Sequence, residues 1–319
     1  MKVLLVGGYN LADCLGTIGR AIQYMGHELI YIPARRIGNL DKVGSEILEK
    51  IEGIDVLLYW NDRELPVDII KEVSKKYLTI YWTVDDLSIW GDLSRLDCFE
   101  VVITCCEQCK EMIESKGKKA YVMYPAIDVD YHYFCYREDF VSNVSLVMTH
   151  CYTKSEFPTI LFDRSELVKR LYKDIGNIML WGRWGGRGWG NIKGCDGLEY
   201  CYKGFRKFEM LAPVFSSAKI NVSTHVVTNH KGYLNHRNFE VMGCRGFLMV
   251  DKVAGIENIF EDKKYCVFYE SLDDLIEKAK WYLTNDRERF RIAYEGNVYA
   301  VSRFNAFEWV RKLEKIVFK

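Results

Sequence analysis

The feature that most constrains this chain is a repeated alternation of short apolar runs with segments of helical spacing. Lys2 to Val6 is a continuous apolar run, Gly7-Gly8 breaks it, and Ile18 to Met25 begins a helical pattern that Gly26 ends. Further strand-like runs fall at His27 to Ile32, Ile54 to Trp60, Tyr77 to Trp82, Phe99 to Thr104 and Ala120 to Tyr124. Between them Val43 to Ile51, Val67 to Lys75 and Glu107 to Lys116 carry helical spacing. Continuous apolar strands separated by amphipathic helices predict a mostly parallel sheet covered on both faces.

The rhythm lapses from Pro125 to Asn143, a stretch of aromatic and charged residues that reads as a connection between domains. It then resumes with strands at Ser145 to Thr149, Ile178 to Trp181, Lys219 to Val222 and Gly246 to Val250. Helices are expected at Arg164 to Tyr172, around Phe208 to Ser216, from about Asn235 to Met242, and onward to the end. A length of 319 residues suits two such α/β domains better than one large core. The expected division is 1–140 and 141–304, with the helix over 305–319 packing back on the first domain.

Composition excludes some partners. Lys plus Arg and Asp plus Glu are 44 each, so no global charge draws the chain to nucleic acid. No run approaches the roughly 20 apolar residues that span a bilayer, and the opening MKVLLVGGYN is too short an apolar stretch for a secretion signal. The eleven cysteines are therefore expected to be reduced thiols in a cytoplasmic protein. Cys105, Cys106 and Cys109, with Cys98 nearby, make one imperfect pair and not the four-ligand pattern of structural zinc; they read as buried thiols.

Several segments end strands and so stand where open α/β sheets bind ligands. Gly7 and Gly8 lack the spacing of a dinucleotide fingerprint and are candidates only for lining that edge. Asp85 and Asp86 follow an apolar run; each is a candidate general base, or else a cap for the segment after it. The stretch from Leu180 to Gly190 holds five glycines, three tryptophans and two arginines. Such a loop can contact phosphate and stack on a base or sugar, with Arg183 first because it lies nearest the strand end. His225, His230 and His236 share one polar stretch with Lys231 and Arg237, offering hydrogen-bond donors or simply a solvated loop.

The segment from Asn235 is the most informative. Arg237 and Glu240 are three apart and project from one face near a helix start. Arginine and helix amides suit a diphosphate, and the glutamate suits a ribose diol; the plain alternative is an ion pair without function.

The run from Arg237 through Phe239-Glu240, Met242-Gly243-Cys244, Gly246-Phe247-Leu248 and Asp251, continuing into Gly255 to Phe260, resembles the donor-domain signature of GT-B glycosyltransferases. It is most similar to the bacterial spore-maturation-type proteins among the group 1 glycosyl transferases. Ser217 to Val222, Tyr269, Leu272 to Leu283, Asn285 to Arg289 and Ala293 to Gly296 fit the same group, so the resemblance covers roughly the last 140 residues. It implies two Rossmann-like domains facing each other across a cleft. It also implies a transferase, hexosyltransferase-like, using a nucleoside-diphosphate sugar. Arg237 would neutralise the diphosphate, Glu240 would bind the ribose, and Asp251, Gly255 and Ile256 would lie near the sugar or nucleotide. Asn221 and His225 belong to the same expected donor site. Arg245 stands where the family more usually has a small residue, and His230 to Tyr233 replaces the family's acidic or glycine-rich loop.

Negative charge grows on the leaving diphosphate during transfer, and fixed positive groups lower that barrier. No aspartate-rich metal motif appears, so Arg237, Arg183 or Lys193 and helix amides are the expected suppliers, with no metal ligand and no cofactor beyond the donor. An inverting reaction needs a base, for which Asp85, Asp86, Asp13 and His150 are candidates; a retaining one needs none. The acceptor stays open among glycan, protein, small molecule and modified nucleobase, as does the oligomeric state. Alternative readings are a phosphorylase or epimerase, a DNA-base (hydroxymethyl-pyrimidine) glycosyltransferase, and a non-catalytic sugar-nucleotide-binding module.

Overall fold

The computed structural model describes residues 1–8, 13–60, 64–90, 93–183, 188–190 and 197–319. These divide into two compact units, Met1–Ala126 with Phe304–Lys319, and Ile127–Arg303.

In the first unit the elements run β1 (Lys2–Val6), α1 (Asp13–Tyr24), β2 (Glu28–Ile32), α2 (Ala34–Ile37), α3 (Leu40–Lys50), β3 (Val56–Trp60), α4 (Val67–Val73), β4 (Leu78–Trp82), β5 (Val101–Thr104), α5 (Glu107–Glu114) and β6 (Lys119–Val122). The strands form a parallel sheet in the order β2-β1-β3-β4-β5-β6. β3 is buried at every position, which is why its sequence is uniformly apolar and does not alternate. Gly7 ends β1 with φ 137°, and a Cβ there would lie 2.7 Å from the Trp60 carbonyl. The glycine is thus required by close backbone approach between neighbouring strands, whatever else the loop does.

The second unit holds β7 (Ser142–Val147), α6 (Arg164–Asp174), β8 (Ile178–Trp181), α7 (Ala212–Ser217), β9 (Ala218–Ser223), α8 (His236–Gly243), β10 (Leu248–Asp251), β11 (Val267–Tyr269), α9 (Leu272–Thr284) and α10 (Asp286–Arg303). Its sheet is also parallel, in the order β11-β10-β9-β7-β8. β11 is absent from the sequence reading, which continued in helices after Val250. Three buried residues are too few to show a period.

The last helix, α11 (Ala306–Val317), returns to the first unit. Trp309, Val310 and Leu313 are buried in that unit's core, and the Trp309 ring lies 4.7 Å from that of Trp82. No helix among the described residues is long and apolar enough to cross a membrane.

Candidate active site

In the second unit the chemistry collects where β7, β9 and β10 end and α8 begins. Asn235 is the N-cap of α8: its side chain accepts from the Arg237 amide at 3.0 Å and donates to the Thr224 carbonyl at 3.0 Å. Arg237 donates from Nε to the Val147 carbonyl at 3.1 Å and pairs through a terminal nitrogen with Glu240 Oε2. Its guanidinium also lies 5.7 Å from the ring centre of Phe215.

Glu240 is only 2% exposed, and its Oε1 has no hydrogen-bond partner among the described residues. Burial pushes its carboxyl up, but the charges of Arg237, His236 and His132 and the Arg237 hydrogen bond together hold it below the ordinary glutamate range. The site therefore presents an ionised, desolvated acceptor with one oxygen engaged and one open. His236 Nε2 stands 3.8 Å from that open oxygen. The ion pair that could have been idle on the surface is instead part-buried, with Glu240 enclosed and Arg237 half-buried.

His225 and Asp251 do not face solvent. The His225 amide donates to Asp251 Oδ2 at 2.8 Å, and its Nδ1 lies 2.6 Å from Oδ1. Both carboxylate oxygens are thus directed at the histidine. This removes His225 from the solvated loop of histidines, whose other members, His230 and His236, are half-buried. Gly255, with φ 77°, has Lys231 Cγ 3.0 Å and the Gly232 amide 3.3 Å from where a Cβ would stand. The Gly232 amide donates to the Ala254 carbonyl at 2.8 Å, so Gly255 serves close packing of two loops.

Asn221 is 2% exposed, and its amide donates to the Phe215 carbonyl at 2.9 Å and to the Phe247 carbonyl at 3.4 Å. The glycine- and tryptophan-rich loop departs from expectation at one of its tryptophans. Trp189 is fully buried and its indole N–H donates to the Met148 carbonyl at 2.8 Å, so this ring is core and not a stacking platform. Trp181 is 4% exposed and lies 5.6 Å from the Phe140 ring, with Arg206 above it at 5.2 Å. Arg183 is exposed, its guanidinium 5.9 Å from the Phe205 ring. Trp184, Arg187 and Lys193 lie outside the described residues.

Three side chains of this region escaped the sequence reading. Arg164, at the start of α6, donates to Thr224 Oγ1 at 3.1 Å and to the His150 carbonyl at 2.9 Å, and lies over Tyr152 at 4.9 Å. Burial lowers its pKa from the ordinary arginine value. Its position opening a helix after a strand–loop was the available signal. His150 itself stacks on Tyr152 at 5.1 Å. Asn238, buried in α8, donates to His225 Nε2 at 3.1 Å. His132 is buried with Nδ1 accepting from the Asp128 amide at 3.0 Å; burial lowers its pKa, and Nε2 has no partner among the described residues.

In the first unit Asp86 is fully buried. Its Oδ1 accepts from the Ser88 amide at 2.9 Å, the Ser88 hydroxyl at 2.6 Å and the Cys109 thiol at 3.2 Å. This is the capping alternative, and it commits the carboxylate that a general base would need free. Asp85 is half-buried, with its amide on Thr83 Oγ1 at 3.0 Å. Cys105, Cys106 and Cys109 are buried and unpaired by disulfides. Burial first, then the nearby aspartates, raises the Cys105 thiol well above its usual range. The Cys106 hydrogen bond, then burial, raises Cys109. Cys105 and Cys109 are thus held as thiols, away from the reactive thiolate form. Gly8, with φ 64°, accepts the Arg35 amide on its carbonyl at 2.9 Å. Asp13 opens α1, but its side chain lies outside the described residues.

Residues 164–316 match the family described as glycosyl transferase-like. The whole chain is similar to the crystal structure of Anabaena Alr3699/HepE in complex with UDP and glucose, at TM-score 0.69 and 12% identity over 99% of each chain. It is similar to sucrose-phosphate synthase from Thermosynechococcus elongatus, at TM-score 0.69 and 12% identity, covering 100% of this chain and 99% of that one. The lipopolysaccharide outer core galactosyltransferase WaaB matches at TM-score 0.63 and 12% identity over the same shares. No curated protein sequence matches the chain. The fold is GT-B, and the glycosyl transferase-like segment lies in the second unit as far as Arg303 and continues into α11.

Proposed function

We propose that the chain transfers a hexosyl group from a UDP-sugar to an acceptor hydroxyl, with no metal ion at the diphosphate. The observation that carries this reading is Glu240: ionised, buried, tied to Arg237 by one oxygen and open at the other. A buried acceptor of this kind is complementary to a ribose hydroxyl, which repays the cost of leaving it unpartnered. UDP is the nucleotide bound in the Anabaena structures, one of them holding UDP-glucose.

The two carboxylates beside the start of α8 are already engaged, Asp251 by His225 and Glu240 by Arg237. Positive charge for the leaving diphosphate then comes from arginine. Arg237 commits two of its N–H directions to Val147 and Glu240, and a guanidinium carries five, so it retains donors for phosphate. Such fixed donors stabilise charge that develops as the glycosidic bond breaks. Among the proposed bases, Asp85 and His150 retain side chains that are not fully enclosed, whereas Asp86 is committed to its cap. The acceptor is a hydroxyl of a glycan, protein or small molecule, reached in the cytoplasm.

UDP should raise the thermal midpoint of the wild-type protein, growing with concentration as mass action requires. Glu240→Gln keeps an acceptor for Arg237 but loses the charge-assisted bond to the diol. That is about 1.5–3 kcal/mol, or roughly ten- to a hundredfold in Kd. UDP binding by Glu240→Gln at wild-type affinity, measured by calorimetry, would remove Glu240 from the site.

A further inference from the structure

The start of α8 is fixed by a proton on one particular nitrogen. His225 Nε2 receives two donors, the Asn235 amide at 3.3 Å and Asn238 Nδ2 at 3.1 Å. A main-chain amide can only donate, so Nε2 must accept. The imidazole proton then resides on Nδ1, where Asp251 Oδ1 receives it at 2.6 Å. His225 and Asp251 are both buried, at 0% and 1% side-chain exposure, so no water substitutes for a mismatched partner.

From this arrangement we infer that Asp251 and His225 are positioning residues for the nucleotide. Asp251 selects the tautomer, the tautomer holds the Asn235 amide, and Asn235 caps the helix that carries Arg237 and Glu240. Neither residue touches the donor in this scheme. The chain of contacts links the end of β10 to the end of β9 and then to the first turn of α8. The inference rests on the reading of α8 as the UDP-binding helix.

Asp251→Asn is nearly isosteric but offers an amide donor toward Nδ1. With that donor facing Nδ1, the ring proton moves to Nε2, where it meets the Asn235 N–H head-on. Asn238 can turn its carbonyl to the new proton, because its Oδ1 is otherwise unpartnered among the described residues. The Asn235 amide has no such freedom, and it is the contact that sets the cap.

Proton-detected 15N spectra of histidine-labelled protein read the tautomer directly. Wild type is expected to show His225 with a protonated Nδ1 and a bare Nε2, and Asp251→Asn the reverse. UDP affinity in Asp251→Asn should fall about tenfold or more, as when a buried donor loses its acceptor. Asn238→Ala keeps the tautomer and should lose a smaller, severalfold amount. A wild-type His225 protonated on Nε2 overturns the inference, as does a folded Asp251→Asn that binds UDP like wild type. If Asp251→Asn does not fold, the wild-type tautomer and the Asn238→Ala affinity decide, and unchanged affinity in Asn238→Ala counts against it. A wild-type protein that binds no UDP would defeat the functional reading instead, while the 15N signature still tests the tautomer.

Discussion

Arg237→Ala should destabilise the protein by about 3–5 kcal/mol, because it leaves the Glu240 carboxylate buried without its counter-charge. For the ion pair without function that three-residue spacing also allows, this substitution would cost little stability. The structure changes that expectation, since Glu240 is 2% exposed and Arg237 is its closest cation. The pH dependence should also reverse in sign. In the wild type the folded Glu240 carboxyl lies below its ordinary range, so the pair's contribution is present above the unfolded carboxylate pKa, near ~4.3, and is lost as pH falls. Without Arg237, burial dominates and raises the folded pKa. The variant then keeps most stability where Glu240 is protonated and loses it as pH rises from roughly 4 toward neutrality. Urea midpoints at acid and neutral pH test both statements. Equal midpoints for variant and wild type at neutral pH would show that the pair is not buried in solution. The double variant Arg237→Met with Glu240→Gln should recover much of the stability while binding UDP poorly.

Trp189→Ala is expected to cost about 3–5 kcal/mol, as for removal of a large aromatic from a packed core. Trp189 has no exposed surface, and its N–H satisfies the Met148 carbonyl, which follows β7. Hydrogen exchange at the β7 and β8 amides is the suitable measure, because it reports opening of the second unit without assuming that both units unfold together. Trp189→Phe should retain most of the burial and lose about 1–3 kcal/mol for the orphaned carbonyl. If Trp189 instead stacked on a ligand, Trp189→Ala would lower UDP affinity and leave exchange protection unchanged.

The sheet strands were legible because each is a continuous apolar run of four to six residues between helices of clear spacing, as at Val56–Trp60. β11, with three residues, falls below the length at which a pattern exists. In the site, Arg237 and Glu240 were legible because three-residue spacing on a helix fixes their common face. Asp251 was legible only as a residue at a strand end, and which neighbour its carboxylate faces depends on tertiary register between β9 and β10. Trp189 misled for a related reason. Glycine and arginine around it look like a ligand loop, yet burial of one ring is decided by where the chain returns to the Met148 carbonyl. Arg164 went unnoticed because its partners, His150 and Thr224, are main-chain carbonyls and a hydroxyl, groups that leave no mark in a sequence.

The return of α11 to the first unit makes the second unit, in covalent terms, an insertion. The chain leaves the first unit at Ala126 and re-enters it at Phe304. Residues 127–303 are therefore one contiguous segment, self-contained in sequence, that holds Arg237, Glu240, His225 and Asp251 together. The first unit has no such independence: a fragment ending at Ala126 would bare the Trp82 face that Trp309, Val310 and Leu313 cover. During synthesis that core stays unfinished until the last helix is made, long after the second unit has all its strands.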